Sequence, residues 1–299
     1  MAAVTGLAYV LGEEACDYRA AEGFEATDLP RKPDLWGWGA FYKASSSSLD
    51  MKIRAAGQAL ASARIEPREV DGAILCAANP PENGEGPGEA ERRFLEAVGL
   101  EKAFPLTVTS GGCGAMLAGI AIATSMLGDG PFTHMLVVGG DRSPTGTARF
   151  QRYGLFSDAA CGCIVSSRSA RGFDIVRVAV VSSPESMHAG APFTSELAAR
   201  TNARLFAGLG LTASGVTKLF GTNVFLPIAM LKEAEAGFAR AQIYLENVKR
   251  LGHCYACDAV INLADYQRSA AILPGQYFVL AADAPGLRWS VLLKARGER

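Results

Sequence analysis

The stretch Thr107 to Leu127, TVTSGGCGAMLAGIAIATSML, carries the reading of the fold. It opens on a β-branched run at Leu106 to Thr109, passes a small-residue turn at Ser110, Gly111 and Gly112, and continues as an almost wholly apolar segment of helical character. Cys113 therefore falls at a strand-to-helix junction. Apolar on every side and rich in Gly and Ala, the helix is expected at the centre of a domain with other backbone pressed close to it. A thiol at such a helix start meets free N–H groups and the positive end of the dipole, which favour thiolate and lower its pKa. A packed core cysteine fits the same residues, free Cys being among the most buried residue types. On this stretch alone both readings stand.

Outward from it, the 299 residues allow one large or two fused domains with a sizeable core. A formal net charge of −1 gives no electrostatic case for nucleic acid. The beginning, MAAVTGLAYVLGEEACDY, has no basic region and meets Glu13 and Glu14 before any long apolar run, unlike a signal peptide. The Thr107 to Leu127 run is long enough to raise a membrane span, but its small and hydroxylated residues and lack of basic flanks favour a buried helix. A cytoplasmic protein without a membrane partner is the expectation. Seven cysteines, an odd number, fit free thiols in a reducing compartment better than a disulfide framework.

In chain order, Val4 to Leu11 reads as a strand and Asp17 to Ser48 as a loop whose aromatics either wall a binding site or simply pack. Ser48 to Ala63 reads as an amphipathic helix capped at Ser48 or Asp50, Asp71 to Ala77 as a buried strand, Asn79 to Gly88 as a solvated loop and Glu89 to Val98 as a helix. Strands follow at His134 to Gly140, Ala159 to Ser166 and Phe173 to Ser182. Beyond them the pattern predicts helices at Ser195 to Phe206 and Ala213 to Phe220, a strand at Asn223 to Leu226, and a long helix from Ile228 to Ala241. A strand at Ile243 to Val248, a helix from Tyr255 to Ser269 and closing strands at Tyr277 to Ala282 and Arg288 to Lys294 complete it. Alternating strands and helices argue an α/β class. The composition shift at Arg168 to Gly172 places a boundary between halves at residues 1–170 and 171–299, suggesting a duplication.

Five segments in this order resemble the β-ketoacyl-acyl-carrier-protein synthase III branch of the thiolase superfamily. They are SLDMKIRAAGQALASARIEPREVDGAILCA, the elbow stretch itself, MLVVGGDRS, FSDAACGCIVSS, and the closing pair LGHCYACDAVINLADY with LPGQYFVLAADAPGLRWSVLL. The resemblance implies a thiolase-like fold, five-layered αβαβα from two duplicated halves. It also implies acyl transfer from a thioester to Cys113 and on to a second nucleophile, with backbone N–H groups holding the oxyanion. The acyl donor is then acyl-CoA or an acyl carrier protein, with no permanently bound cofactor, and the chain a homodimer or one half of a heterodimer.

Departures from the family pattern narrow this. Where the family has His after Pro, this chain reads Pro227-Ile228, and where it has Asn after Gly, it reads Gly252-His253. His253 is thereby the general base on Cys113 or the incoming nucleophile, an imidazole titrating near neutral pH. Isoleucine donates nothing, so malonyl decarboxylation, for which the family uses paired donors, is less suited than acyl transfer or an atypical condensation in secondary metabolite, polyketide or fatty-acid-related biosynthesis. A non-catalytic ketosynthase-like partner subunit is the rival reading. Asp258 is weighed as an orienting partner for His253 against a cap or surface role, the latter favoured. His134 reads as structural and His188 as an outside candidate. Asp34-Leu35-Trp36 is similar to the start of the family's coenzyme A loop, making Trp36 a coenzyme A contact, though the Arg-Thr-Gly that follows in the family is replaced by Gly39-Ala40-Phe41. Arg149, Arg152 and Lys218 are candidates for an acidic carrier surface, with solvated charge as the alternative. Zinc at Cys161, Cys163, His253, Cys254 and Cys257 is set aside, because Cys161 and Cys163 occupy small-residue places of a buried strand.

Overall fold

The computed structural model describes residues 1–79, 88–109, 111–128, 130–188 and 194–297. Most of the expected Asn79 to Gly88 loop, and Ser110 of the turn, lie outside the described residues.

The first half comprises β1 (Ala3–Leu11), β2 (Glu14–Asp17), α1 (Pro33–Trp36), β3 (Ala40–Lys43), α2 (Ser48–Ala63), β4 (Gly72–Cys76), α3 (Glu89–Val98), β5 (Phe104–Val108), α4 (Ala115–Leu127), β6 (His134–Asp141) and β7 (Ala159–Ser166). The second comprises β8 (Phe173–Ser182), α5 (Ser195–Phe206), β9 (Lys218–Phe220), α6 (Leu226–Glu235), β10 (Ile243–Tyr244), α7 (Glu246–Leu251), α8 (Asp258–Ser269), β11 (Tyr277–Ala284) and β12 (Leu287–Ala295).

Ten strands form one sheet in the order β10-β9-β11-β12-β8-β1-β7-β6-β4-β5. Numbered within each half, and leaving out the separate β2–β3 pair, both halves run 3-2-4-5-1. The senses repeat as well. β4 is parallel to β5 and β6, and β7 antiparallel to β6 and β1, while β9 is parallel to β10 and β11, and β12 antiparallel to β11 and β8. The halves meet where β1 pairs with β8, Ala3 opposite Asp174 and Val4 opposite Phe173. The duplication is thus explicit in topology where the sequence repeat is faint.

Alternation along the strands builds the layers. On β11, Phe278 and Leu280 join a central cluster holding Met116, Leu117 and Ile120 of α4 and Val260 and Leu263 of α8. Its neighbours Val279 and Ala281 face outward onto Leu205 of α5 and Ala229 of α6. On the far side, Leu75 of β4 and Leu136 of β6 pack beneath Leu60 of α2 and Phe94 of α3. Helix α4 is therefore sandwiched between the half-sheets, as its all-round apolarity demands. Its glycines allow the close approach. A Cβ on Gly119 would fall 2.6 Å from Cys76 Sγ, and one on Gly114 2.6 Å from Trp289 Cδ1.

Several expectations are corrected. Asp17 to Ser48 is more than a loop, since it holds the β2–β3 pair and α1. Helix α2 is capped by Ser47, whose hydroxyl accepts from Asp50 N while Asp50 accepts from Ser47 N, a capping box one residue earlier than expected. The segment expected as a helix at Ala213 to Phe220 ends instead in β9, drawn into the sheet by pairing Leu219 with Val279. Asn223 to Leu226 is not a strand, because the amide of Asn223 is used by a side chain and Pro227 opens α6. That helix stops at Glu235, and Gly237 follows at φ 102°. Only Ile243 and Tyr244 of the next expected strand pair, and α7 follows.

Candidate active site

Two turns bring the chemistry together. The first is the elbow, where Gly111 (φ 105°) and Gly112 (φ 52°) take left-handed conformations that carry the chain from β5 into α4. Its single helical turn, Gly112–Gly114, holds Cys113 half-buried. The second is the turn after α7. Gly252 sits at φ 70° with its Cα so close to Leu155 that a Cβ would lie 2.4 Å from that carbonyl oxygen. This contact lets the next residue lock into β-like pairing: His253 N donates to Leu155 O at 2.7 Å, and His253 O accepts from Ser157 N at 2.9 Å.

Clamped this way, the fully buried His253 presents Nε2 to Cys113 Sγ at 3.2 Å. Its Nδ1 lies 2.5 Å from Asp258 Oδ2. Asp258 is only 2% exposed and does not serve a surface role, contrary to the favoured expectation. It does cap the turn, its Oδ1 accepting from Cys254 N at 2.7 Å, and its Oδ2 also accepts from Asn223 N at 2.7 Å. The residue thus both closes the start of α8 and holds the imidazole. The only signal in the sequence was an acid five residues after a His at a helix start, which is common by chance.

Burial alone would lower the basicity of His253. The adjacent Asp258 carboxylate and, next, Cys113 outweigh it and raise the pKa to about 10. The proton is therefore held on the imidazole beside Sγ. Phe156, 4.6 Å away ring to ring, and Tyr255, stacked at 5.9 Å, wall this pair. Tyr255 does so at φ 53°, a left-handed conformation uncommon for a bulky residue.

Sequence reasoning missed Asn223. Besides its amide bond to Asp258, its side chain donates to Gly252 O at 2.9 Å and accepts from Asn262 at 2.9 Å. Asn262 in turn accepts from Asn247, which donates also to Asp265. One buried polar chain so fixes the turn that carries His253.

A cavity of about 1240 Å³ is bounded by Phe150, Tyr153, Ile228 and Leu231, with Asp28 and Arg152 among its other residues. Burial first, and then Cys113, raise the Tyr153 phenol to about 12, which places it within the field of the thiol. Ile228 is half-buried and packs against two core clusters, one holding Ala229 and Val248 and the other Phe225. Trp36 does not border the cavity. Its half-buried ring stacks on Trp38 at 6.5 Å, and its N–H donates to Pro30 O at 3.0 Å.

Arg149 is not available to a carrier surface. It is 9% exposed and grips Asp158 through two bonds of 2.8 and 2.9 Å. Arg152 is exposed and paired with Asp28, and Lys218 donates to Ala241 O. His134 is half-buried at the start of β6, and His188 is exposed in a loop. All seven cysteines are free. Cys161, Cys163 and Cys257 join the central core cluster, and burial raises Cys161 and Cys163. Among the described residues, no group of three or more His, Cys, Asp or Glu is arranged to hold a metal. No helix of the described residues is long and apolar enough to cross a membrane.

Two duplicated α/β halves enclosing a cysteine-bearing buried helix define the thiolase-like fold. The family model of 3-oxoacyl-[acyl-carrier-protein] synthase III matches residues 109–184, from the elbow through β8. Solved structures match the whole chain. ChlB3, an acyltransferase, superposes with a TM-score of 0.83 at 19% identity over 99% of this chain and 98% of that one. FabH, the 3-oxoacyl-(acyl carrier protein) synthase III of Pseudomonas aeruginosa PAO1, gives 0.80 at 19% identity over 99% and 98%. A variant of OleA from Xanthomonas campestris gives 0.83 at 16% over 98% and 96%. No curated protein matches by sequence. The resemblance to the ketosynthase III-like branch thus holds in sequence around the elbow and in fold throughout.

Proposed function

We propose that this chain is a ketosynthase III-like acyltransferase working through an acyl-Cys113 thioester. The observation that carries the reading is the 3.2 Å approach of His253 Nε2 to Cys113 Sγ, backed by Asp258 at 2.5 Å. In the first step the Cys113 sulfur attacks the carbonyl carbon of an acyl thioester, and the leaving thiolate takes the proton held on His253 Nε2. In the second, the now neutral His253 accepts the proton of an incoming nucleophile, whose attack on the acyl carbon releases the Cys113 sulfur. Asp258 keeps the imidazole in one orientation and stabilises its charged form. Backbone N–H groups at the turn that carries Cys113 into α4 are the proposed donors to the developing oxyanion.

The synthase activity of FabH on an acyl carrier protein supports such a carrier as donor, with acyl-CoA as the alternative thioester, and the proposal includes no resident cofactor. Trp36 is proposed as a coenzyme A contact on the one ground that part of its ring is exposed. Secondary or polyketide metabolism, a cytoplasmic location, a homodimer, and units at 1–170 and 171–299 belong to the same proposal. Ile228, standing where the family has His, is the feature that favours the rival, a non-catalytic subunit of a heterodimer. The intact Cys113, His253 and Asp258 array weighs against it.

Incubation with a panel of acyl thioesters followed by intact-mass measurement tests the reading. One acyl adduct on the native chain and none on Cys113→Ala is expected. No adduct with any thioester, or the same adduct on both, removes it.

A further inference from the structure

A second cavity, of about 800 Å³, lies at the carboxyl ends of the parallel strands β4, β5 and β6, bordered by Cys76, Thr107, Thr109, Asp141 and Ser143. Open α/β sheets bind ligands at this end of their strands. A buried cation lines this cavity. Lys52, on α2, is 9% exposed, and its stem runs past Gly140, where an added Cβ would meet Lys52 Cγ at 2.9 Å.

The ammonium of Lys52 makes no hydrogen bond or ion pair with any described residue, and it is not among the enclosed unpartnered atoms, so it opens on the cavity. The acids around it are committed elsewhere. Asp141 accepts from Ala78 N at 2.9 Å and Asn79 N at 2.8 Å, Asp50 is held by the Ser47 capping box, and Glu91 accepts from Thr107. The ammonium faces the cavity with the buried Asp141 carboxylate in its field but in no direct bond with it, and an anion supplied from outside gives it the charge-assisted bond it lacks.

We propose that Lys52 anchors an anion subsite in this cavity that takes the carboxylate of a small organic acid. Its place relative to the nucleophile indicates the source. Cys113 is four positions after the cavity residue Thr109, so their Cα atoms are at most about 14 Å apart. On the other side Ser143 adjoins Tyr255, whose ring stacks on His253. A carboxylate at the far end of an acyl group loaded on Cys113 therefore lies within reach of Lys52. This choice of source rests on the proposed acyl transfer. A free organic acid held as an effector shares the same chemistry.

Two measurements separate these sources. In the first, glutaryl-, adipoyl- and suberoyl-coenzyme A are compared with alkyl thioesters of equal length for the rate of adduct formation on Cys113. A preference of about tenfold or more for one carboxyacyl thioester, the size one charge-assisted hydrogen bond confers, is expected. Lys52→Met should abolish the preference while the alkyl rates hold, and Lys52→Arg should retain part of it. In the second, adipate is titrated against Cys113→Ala protein and thermal stability is followed. Saturable stabilisation, lost in the Lys52→Met double variant, supports the free acid and remains decisive even if no thioester acylates the chain. Absence of both effects in the parent protein, or their persistence in Lys52→Met, overturns the subsite.

Discussion

Asp258 Oδ2 lies 2.5 Å from His253 Nδ1, both side chains buried, while two backbone amides, Asn223 N and Cys254 N, hold the same carboxylate in place. The carboxylate is thus positioned before it orients the imidazole.

Asp258→Asn keeps the volume but removes the charge and turns a donor toward His253. Acyl transfer should fall by about two to four orders of magnitude, mainly in kcat. His253→Ala should cost at least about two orders while the protein stays folded. Steady-state kinetics beside circular dichroism checks both, and rates within a fewfold of the parent would take these residues out of the mechanism.

Stability should depend on pH through His253. An imidazole in the unfolded chain titrates near 6.5, and in the folded protein near 10. Between these values the folded state binds the extra proton, so its contribution is complete below about pH 6.5 and declines as pH rises to about 10. Urea midpoints measured from pH 6 to 10 should fall more steeply for the parent than for His253→Gln. Because Cys113 contributes to the shift, Cys113→Ala should flatten the profile in part.

Gly252→Ala tests the turn. At φ 70° and ψ −160° Gly252 lies in a region essentially restricted to glycine, which costs an L residue about 1–3 kcal/mol, and the new Cβ would also meet Leu155 O at 2.4 Å. A total loss of about 2–4 kcal/mol is expected, with activity per folded molecule reduced because His253 follows directly. Unchanged denaturation and unchanged turnover would contradict this account of the turn.

A buried charge cluster beneath the β11–β12 turn sets a fourth expectation. Arg288, fully buried, bonds both oxygens of Glu233 at 2.8 Å and also Asp283, and Lys232 completes the set. Arg288→Ala leaves two buried carboxylates facing one ammonium and should destabilise the fold by about 3–5 kcal/mol. Equilibrium denaturation at pH 7 measures it.

Local pattern was enough around the elbow and along the longest strands. The strand, small-residue turn and apolar helix around Cys113 depend on neighbours in sequence, and α3, β7 and β8 matched their expected limits for the same reason. From Ala213 to Val248 the pattern misled, because β9 and β10 are two or three residues long and exist only through pairing with β11 and with each other.

The sequence by itself determined the α/β class, the elbow, the buried helix and the pairing of Cys113 with His253 as candidates, since each rests on short-range composition or ordered motifs. Only the tertiary structure decided that Asp258 is buried against His253, that Asn223 holds it, that Arg149 is committed to Asp158, and that the Lys52 ammonium makes no hydrogen bond with a described residue. Which groups bond and which are buried depends on how separate segments meet, from Asn223 with Asp258, 35 positions apart, to Cys113 with His253, 140 apart across the two halves, and even the close pair His253 and Asp258 becomes buried only in that packing.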